Sequence, residues 1–179
     1  MNPPILATRN LGLDIGGANI VVDVSLEVAE GELLGIIGPN GAGKTSLFNL
    51  FSGIYRPTSG SIHLNGVDIT RQPTFLRTRE GIGRTFQVSS VFPLLTTFEN
   101  VRLAAQSALG GTLRLWQRAA GVREAVDRAG AALARVGLEA KAAMSAGGLS
   151  HGDKRRLEIA MLLAADKPVL LLDEPMAGL

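Results

Sequence analysis

The chain has 179 residues, 46% of them hydrophobic, enough to bury one core and too few to argue for two independent ones. Its 18 basic and 16 acidic residues leave a net charge of +2, and the densest basic stretch, Arg71, Arg77, Arg79 and Arg84, comes without a base-reading motif; it is expected to be a solvated face, not a nucleic-acid surface. Cysteine is absent, and wholly apolar runs such as 159–165 fall far short of the roughly 18 residues a membrane span needs.

In chain order, Leu11, Leu13 and Ile15 recur with the two-residue period of a strand, and Gly16-Gly17 supplies a turn. Val22, Val24, Leu26 and Val28 then alternate with Asp23, Ser25 and Glu27, which predicts a half-buried hairpin. The run 33–37 is continuously apolar, as expected of a strand covered on both faces in a parallel sheet. Over 44–51 the residues Leu47, Leu50 and Phe51 share one helical face, and Gly53 is placed to close that helix. Ile62 and Leu64, the turn pair Asn65-Gly66, then Val67 and Ile69 predict a second hairpin, with His63 on its solvated side.

From 101 to 148 the composition turns rich in Ala, Arg and Leu. There Val122, Val126, Ala129, Leu133 and Val136 follow a helical period that Gly137 ends. A further helix is predicted over 154–164. Pro168 precedes the apolar run 169–172, a second strand expected to be covered on both faces, which ends in Asp173-Glu174.

Gly38-Pro39-Asn40-Gly41-Ala42-Gly43-Lys44-Thr45 has the spacing of a phosphate-binding loop. Its glycines let backbone N–H groups turn inward toward phosphate oxygens, and the following helix, from Lys44 through Ser46, presents its positive end. Lys44 is expected to reach the β and γ phosphates of a nucleoside triphosphate and the Thr45 hydroxyl to ligate Mg²⁺. The acidic pair lies at the carboxyl end of a strand, where open α/β sheets bind ligands. Asp173 is the candidate for Mg²⁺ and Glu174 for polarising the attacking water.

Leu149-Ser150-His151-Gly152-Asp153, followed by 154–160 and lying directly before the acidic strand, resembles the signature of ABC ATPases. Other family landmarks fall in order: Pro57-Thr58-Ser59-Gly60 before a strand, Arg84-Thr85-Phe86-Gln87 as the Q-loop, and Thr97-Phe98-Glu99-Asn100-Val101 opening a helical subdomain. The glycine-flanked Q-loop strand, the insert and 155–160 are most similar to the ATPases of importers for branched-chain amino acids, urea and amides.

The resemblance implies an α/β fold: a P-loop NTPase core with an N-terminal antiparallel β subdomain, formed by about 1–87 and 165–179, and an α-helical signature subdomain over 88–164. It implies MgATP hydrolysis driving a transmembrane permease from the cytoplasmic face of the membrane. Two ATPase subunits, identical or different, would pair head to tail, so that nucleotide held at 38–46 of one is completed by Ser150 and Gly152 of the other. Gln87 would contact Mg²⁺ and the attacking water. A non-transport ABC ATPase is the alternative in the same family, and an ATP-binding fragment without turnover is the alternative outside enzymes.

At Ile15 the family usually carries an aromatic residue that stacks on adenine, so an apolar contact without stacking is expected. His151 and Asp153 stand where the commoner signature has Gly and Gln, and γ-phosphate recognition through Ser150 and Gly152 is expected to survive. The family's switch His and remaining core follow the position of Leu179, which leads to an expectation of slow turnover for the chain as given.

Overall fold

The computed structural model describes residues 3–84, 91–109 and 118–173. The chain forms two compact units, 1–82 and 83–179. In the first unit, β1 (Leu6–Ile15), β2 (Ala18–Val28), β3 (Ser59–Leu64) and β4 (Val67–Asp68) make an antiparallel sheet in the order β2-β1-β3-β4. Both predicted turns are present. Gly16 and Gly17 join β1 to β2, and Asn65 and Gly66, at φ 49° and 77°, make the primed turn whose twist suits a hairpin. Leu6, Leu11, Leu13, Ile62 and Leu64 bury the sheet's inner face.

The predicted alternation along β2 holds only in part. Val21 is buried and Val22 exposed, the reverse of the expected phase. The register between β1 and β2 shifts after Thr8 and again after Leu11, and Asn10 and Asp23 sit opposite each other in this irregular stretch at φ 46° and 50°. A side-chain hydrogen bond of 2.7 Å, Asn10 Nδ2 donating to Asp23 Oδ1, fixes the irregularity. A bulge moves every later side chain to the other face, which a strict two-residue period cannot anticipate.

α1 (Lys44–Ser52) buries Leu47, Leu50 and Phe51, as its spacing predicts, and ends at Gly53 with φ 79°. α2 (Thr74–Glu80) was not legible from periodicity, being only seven residues long. The run 33–37 departs from expectation. It forms no strand, and Leu33 and Ile37 are 93% and 96% exposed. A strand buried on both faces needs pairing on its edges and cover above and below, and none of the described strands of this unit pairs with it. His63 is half-buried instead of solvated, because its strand runs between β1 and β4.

In the second unit, α3 (Thr97–Ala108), α4 (Arg118–Val136) and α5 (His151–Ala165) pack against one another, and β5 (Ile82–Arg84) pairs with β6 (Val169–Leu171). Val101, Ala105, Ala129, Leu133, Leu157 and Ala160 lie in one core. The helix over 122–136 and its Gly137 stop are as predicted, but the buried stripe is rotated. Ala125, Ala129, Ala132 and Leu133 face inward while Val122 and Val126 are exposed. Alanine lets helix axes approach more closely than a β-branched residue does, so the small-residue stripe wins the interface. Likewise β6 is covered on one face only: Val169 and Leu171 are buried and Leu170 is exposed.

The entry to α3 is fixed by side chains. Thr96 accepts from the Glu99 N–H at 3.0 Å. Buried Asn100 accepts from the Phe92 N–H and donates to the carbonyls of Phe92 and Thr96. Backbone bonds from Thr97, Phe98 and Ala146 to the carbonyls of Met144, Ala142 and Leu95 tie this segment to the turns between α4 and α5.

Candidate nucleotide site

The loop 38–43 leads directly into α1. Gly43 is the helix N-cap at φ 83°, and a Cβ there would lie 2.6 Å from the Ile20 carbonyl oxygen, so both backbone conformation and close approach to β2 require glycine. No side chain caps this helix end, and its first turn carries no acidic residue. The leading amides of α1 are therefore left for an external acceptor, with the positive end of the helix dipole behind them. Lys44 Nζ donates to the carbonyls of Gly38 and Pro39 at 2.6 and 2.9 Å, which clasps the loop and holds the ammonium over it. The loop itself is exposed, as is Thr45. Ile15, 49% exposed, ends β1 at the tip of the first hairpin.

The other end of α1 is anchored by a residue that sequence reasoning placed in solvent. Arg77 is 1% exposed and donates to four carbonyls: Leu50 at 2.5 Å, Phe51 at 3.0 Å, Thr70 at 2.8 Å and Gln72 at 3.0 Å. Two of these are carbonyls of the last turn of α1, where a cation is favoured by the helix dipole. Burial pulls the guanidinium below its usual value while the charge of Asp68 acts the other way. A Cβ at Gly53 would lie 2.9 Å from Arg77 Nε, so Gly53 both ends α1 and makes room for its anchor. The signal available in sequence was a helix whose last turn holds no basic residue of its own.

In the second unit, Ser150 is the N-cap of α5. Its Oγ accepts from the Asp153 N–H at 3.1 Å and donates to Asp153 Oδ2 at 2.8 Å. Asp153 is 3% exposed, bonded by Lys141 and paired with Arg156 at 3.3 Å. The Lys141 ammonium, then the Ser150 hydroxyl, hold its carboxyl below the usual range. Gly152 lies in the first turn and His151 is exposed.

At the end of β6, Asp173 is buried and its carboxylate lies 3.4 Å from Arg84. Arg155 of α5 donates to the Asp173 carbonyl at 2.5 Å and to Glu158 at 2.8 Å. Arg84 is thus a partner of the acidic strand, not part of a solvated face. Gln87 and Glu174 lie outside the described residues. Lys44 and Thr45 belong to the first unit, and Ser150, Gly152 and Asp173 to the second.

A glycine-rich loop opening an uncapped helix, and a three-helix subdomain whose last helix is Ser-capped and leads to a strand ending in a buried aspartate, are the parts of an ATP-binding cassette. The family model for ABC transporters matches residues 21–177, and the chain belongs to that family of ATPases. It is 41% identical to the high-affinity branched-chain amino acid transport ATP-binding protein LivG of Salmonella typhimurium, over all of this chain and 72% of LivG. It is 40% identical to BraF of Pseudomonas aeruginosa, a protein of the same description, with the same coverage. Among solved structures, the dimeric ATP-binding cassette MJ0796 bound to ADP and Pi aligns over 97% of this chain and 75% of its own, with a TM-score of 0.78 and 29% identity.

Proposed function

We propose that the chain is the ATP-hydrolysing subunit of an importer for branched-chain amino acids or a chemically related small solute. The observation that carries the reading is the N-terminus of α1, where a glycine cap leaves the leading amides without a side-chain acceptor and the loop's own carbonyls hold the Lys44 ammonium beside it. Two relatives described as branched-chain amino acid transport proteins, each matched along the whole chain, supply the substrate class.

In this reading residues 38–46 hold the phosphates of ATP and Ile15 makes an apolar contact to adenine. Thr45, Asp173 and Gln87 would hold Mg²⁺, since a hydroxyl, a carboxylate and an amide oxygen are the hard donors that ion prefers. The ion's contribution when bound is to offset charge on the transferring phosphoryl group. Glu174 and Gln87 orient the attacking water, and Ser150 and Gly152 of a second subunit complete the γ-phosphate contacts. That a similar cassette, MJ0796, is dimeric when bound to ADP and Pi supports the presence of a second subunit. The paired subunits engage permease subunits on the cytoplasmic side of the membrane.

The test is uptake of labelled leucine and urea into vesicles carrying the cognate permease and this protein. Uptake that requires ATP inside the vesicle and disappears with Lys44→Ala is expected. Uptake indifferent to Lys44, or nucleotide-dependent transport of neither solute class, would contradict the reading.

A further inference from the structure

The hydrogen bonds around Ser150 leave no free proton for a phosphate. A carboxylate only accepts, so in the 2.8 Å contact with Asp153 Oδ2 the Ser150 hydroxyl is the donor; an amide only donates, so in the 3.1 Å contact with the Asp153 N–H the same oxygen is the acceptor. A serine hydroxyl has one proton, and Asp153 holds it. Phosphate oxygens at physiological pH are acceptors too. Ser150 can therefore engage a γ phosphate only by releasing Asp153.

The competitor is held in place from several sides. Lys141 bonds the same Oδ2, Arg156 pairs with Oδ1 at 3.3 Å, and Asp153 is 3% exposed, so the carboxylate does not simply swing into solvent. Lys141 ends the short turn Glu139–Lys141, and the neighbouring backbone is tied to the start of α3. Lys141 and Arg156 are each half-exposed, so the surface beside Ser150 stays positive although Asp153 lies beneath it.

We propose that Asp153 is a positioning residue that withholds the Ser150 hydroxyl from nucleotide, so that docking of a nucleotide-loaded second copy must exchange the Ser150–Asp153 bond for a Ser150–phosphate bond. Lys141 tempers the competition by sharing the carboxylate. The proposal rests on the head-to-tail reading above. Its consequence is a weaker nucleotide-dependent association than the same signature would show with a neutral residue at 153.

The test is sedimentation velocity of the chain with Mg²⁺ and a non-hydrolysable ATP analogue, at matched nucleotide occupancy, for wild type, Asp153→Asn, Ser150→Ala, the double variant and Lys141→Met. A hydrogen bond to a charged group is about twice as strong as a neutral one, so Asp153→Asn is expected to tighten association about tenfold. Ser150→Ala is expected to weaken it, and in that background Asp153→Asn should have no further effect. Lys141→Met should weaken it, because Asp153 then takes the hydroxyl alone.

If wild type does not associate with analogue, or Ser150→Ala associates as well as wild type, the head-to-tail role of Ser150 falls and the proposal with it. If Ser150→Ala weakens association but Asp153→Asn leaves it unchanged or weaker, the role of Ser150 stands and the proposal is overturned. Should Asp153→Asn fail to fold, unchanged or tighter association of Lys141→Met overturns it equally.

Discussion

The N-termini of α1 and α5 begin with the same backbone problem, four amides without intrahelical acceptors, and meet it in opposite ways. α1 opens on Gly43 with no capping side chain and no acid in its first turn, while α5 opens on Ser150 with Asp153 returning the cap and adding a negative charge. One end has no side-chain cap and the other is capped from within. The stability α1 forgoes at its start is recovered at its far end, where Gly53 and Arg77 close the last turn. A helix start can be left without a side-chain cap when the helix is anchored elsewhere.

The largest effect should come from removing that anchor. Arg77→Met removes the guanidinium donor from the carbonyls of Leu50, Phe51, Thr70 and Gln72, and a loss of about 3 kcal/mol in unfolding free energy by denaturant titration is expected. An unchanged midpoint would mean that α1 does not depend on its C-terminal end. Next, Lys44→Ala removes the ammonium held over the loop. ATP affinity by calorimetric titration should fall on the order of a hundredfold, with the circular-dichroism spectrum retained. Wild-type affinity in that variant would place the phosphates somewhere other than α1.

A smaller change tests the adenine contact. Ile15→Tyr should tighten ATP by roughly 0.5 to 1.5 kcal/mol, the excess typical of aromatic contacts. Competition against GTP measures it, and weaker ATP binding by the tyrosine variant would move the base away from the tip of the first hairpin. The smallest effect sharpens the contrast through pH. The folded carboxyl of Asp153 titrates below its ordinary value of 3.8, so its stabilisation is complete above that value and is lost as pH falls through the lower folded one. Melting curves from about pH 6 down to about pH 3 should show Asp153→Asn losing less stability than wild type in that window. Equal slopes would deny Asp153 its part in capping α5.

Much of this was legible in sequence. The face of α1, both hairpin turns and the helix over 154–164, which begins one turn earlier at His151, follow from local rules that one segment obeys by itself. What escaped depends on distant partners. A four-carbonyl cradle contributed by α1 and the 70–72 segment turns Arg77 from a surface cation into a core residue. The bulge at Asn10 and Asp23 changes the phase of β2, and the alanines of α4 take the interface from Val122 and Val126 because of what packs against them. The run 33–37 reads as a buried strand, yet composition cannot supply the neighbours such a strand needs. Within the signature, the Ser-x-x-Asp spacing that makes Asp153 a cap was visible, but the Lys141 that completes it comes from another turn.

Hydrogen–deuterium exchange on the dilute, monomeric chain with and without MgADP tests most directly the claim that α1, and not α5, is open to phosphate. The account predicts slowed exchange at the amides of 44–46 on nucleotide binding, and no change at 153–154, where the Ser150 hydroxyl and carbonyl already accept both amides. New protection at 153–154 in the monomer, or none at 44–46, would contradict it.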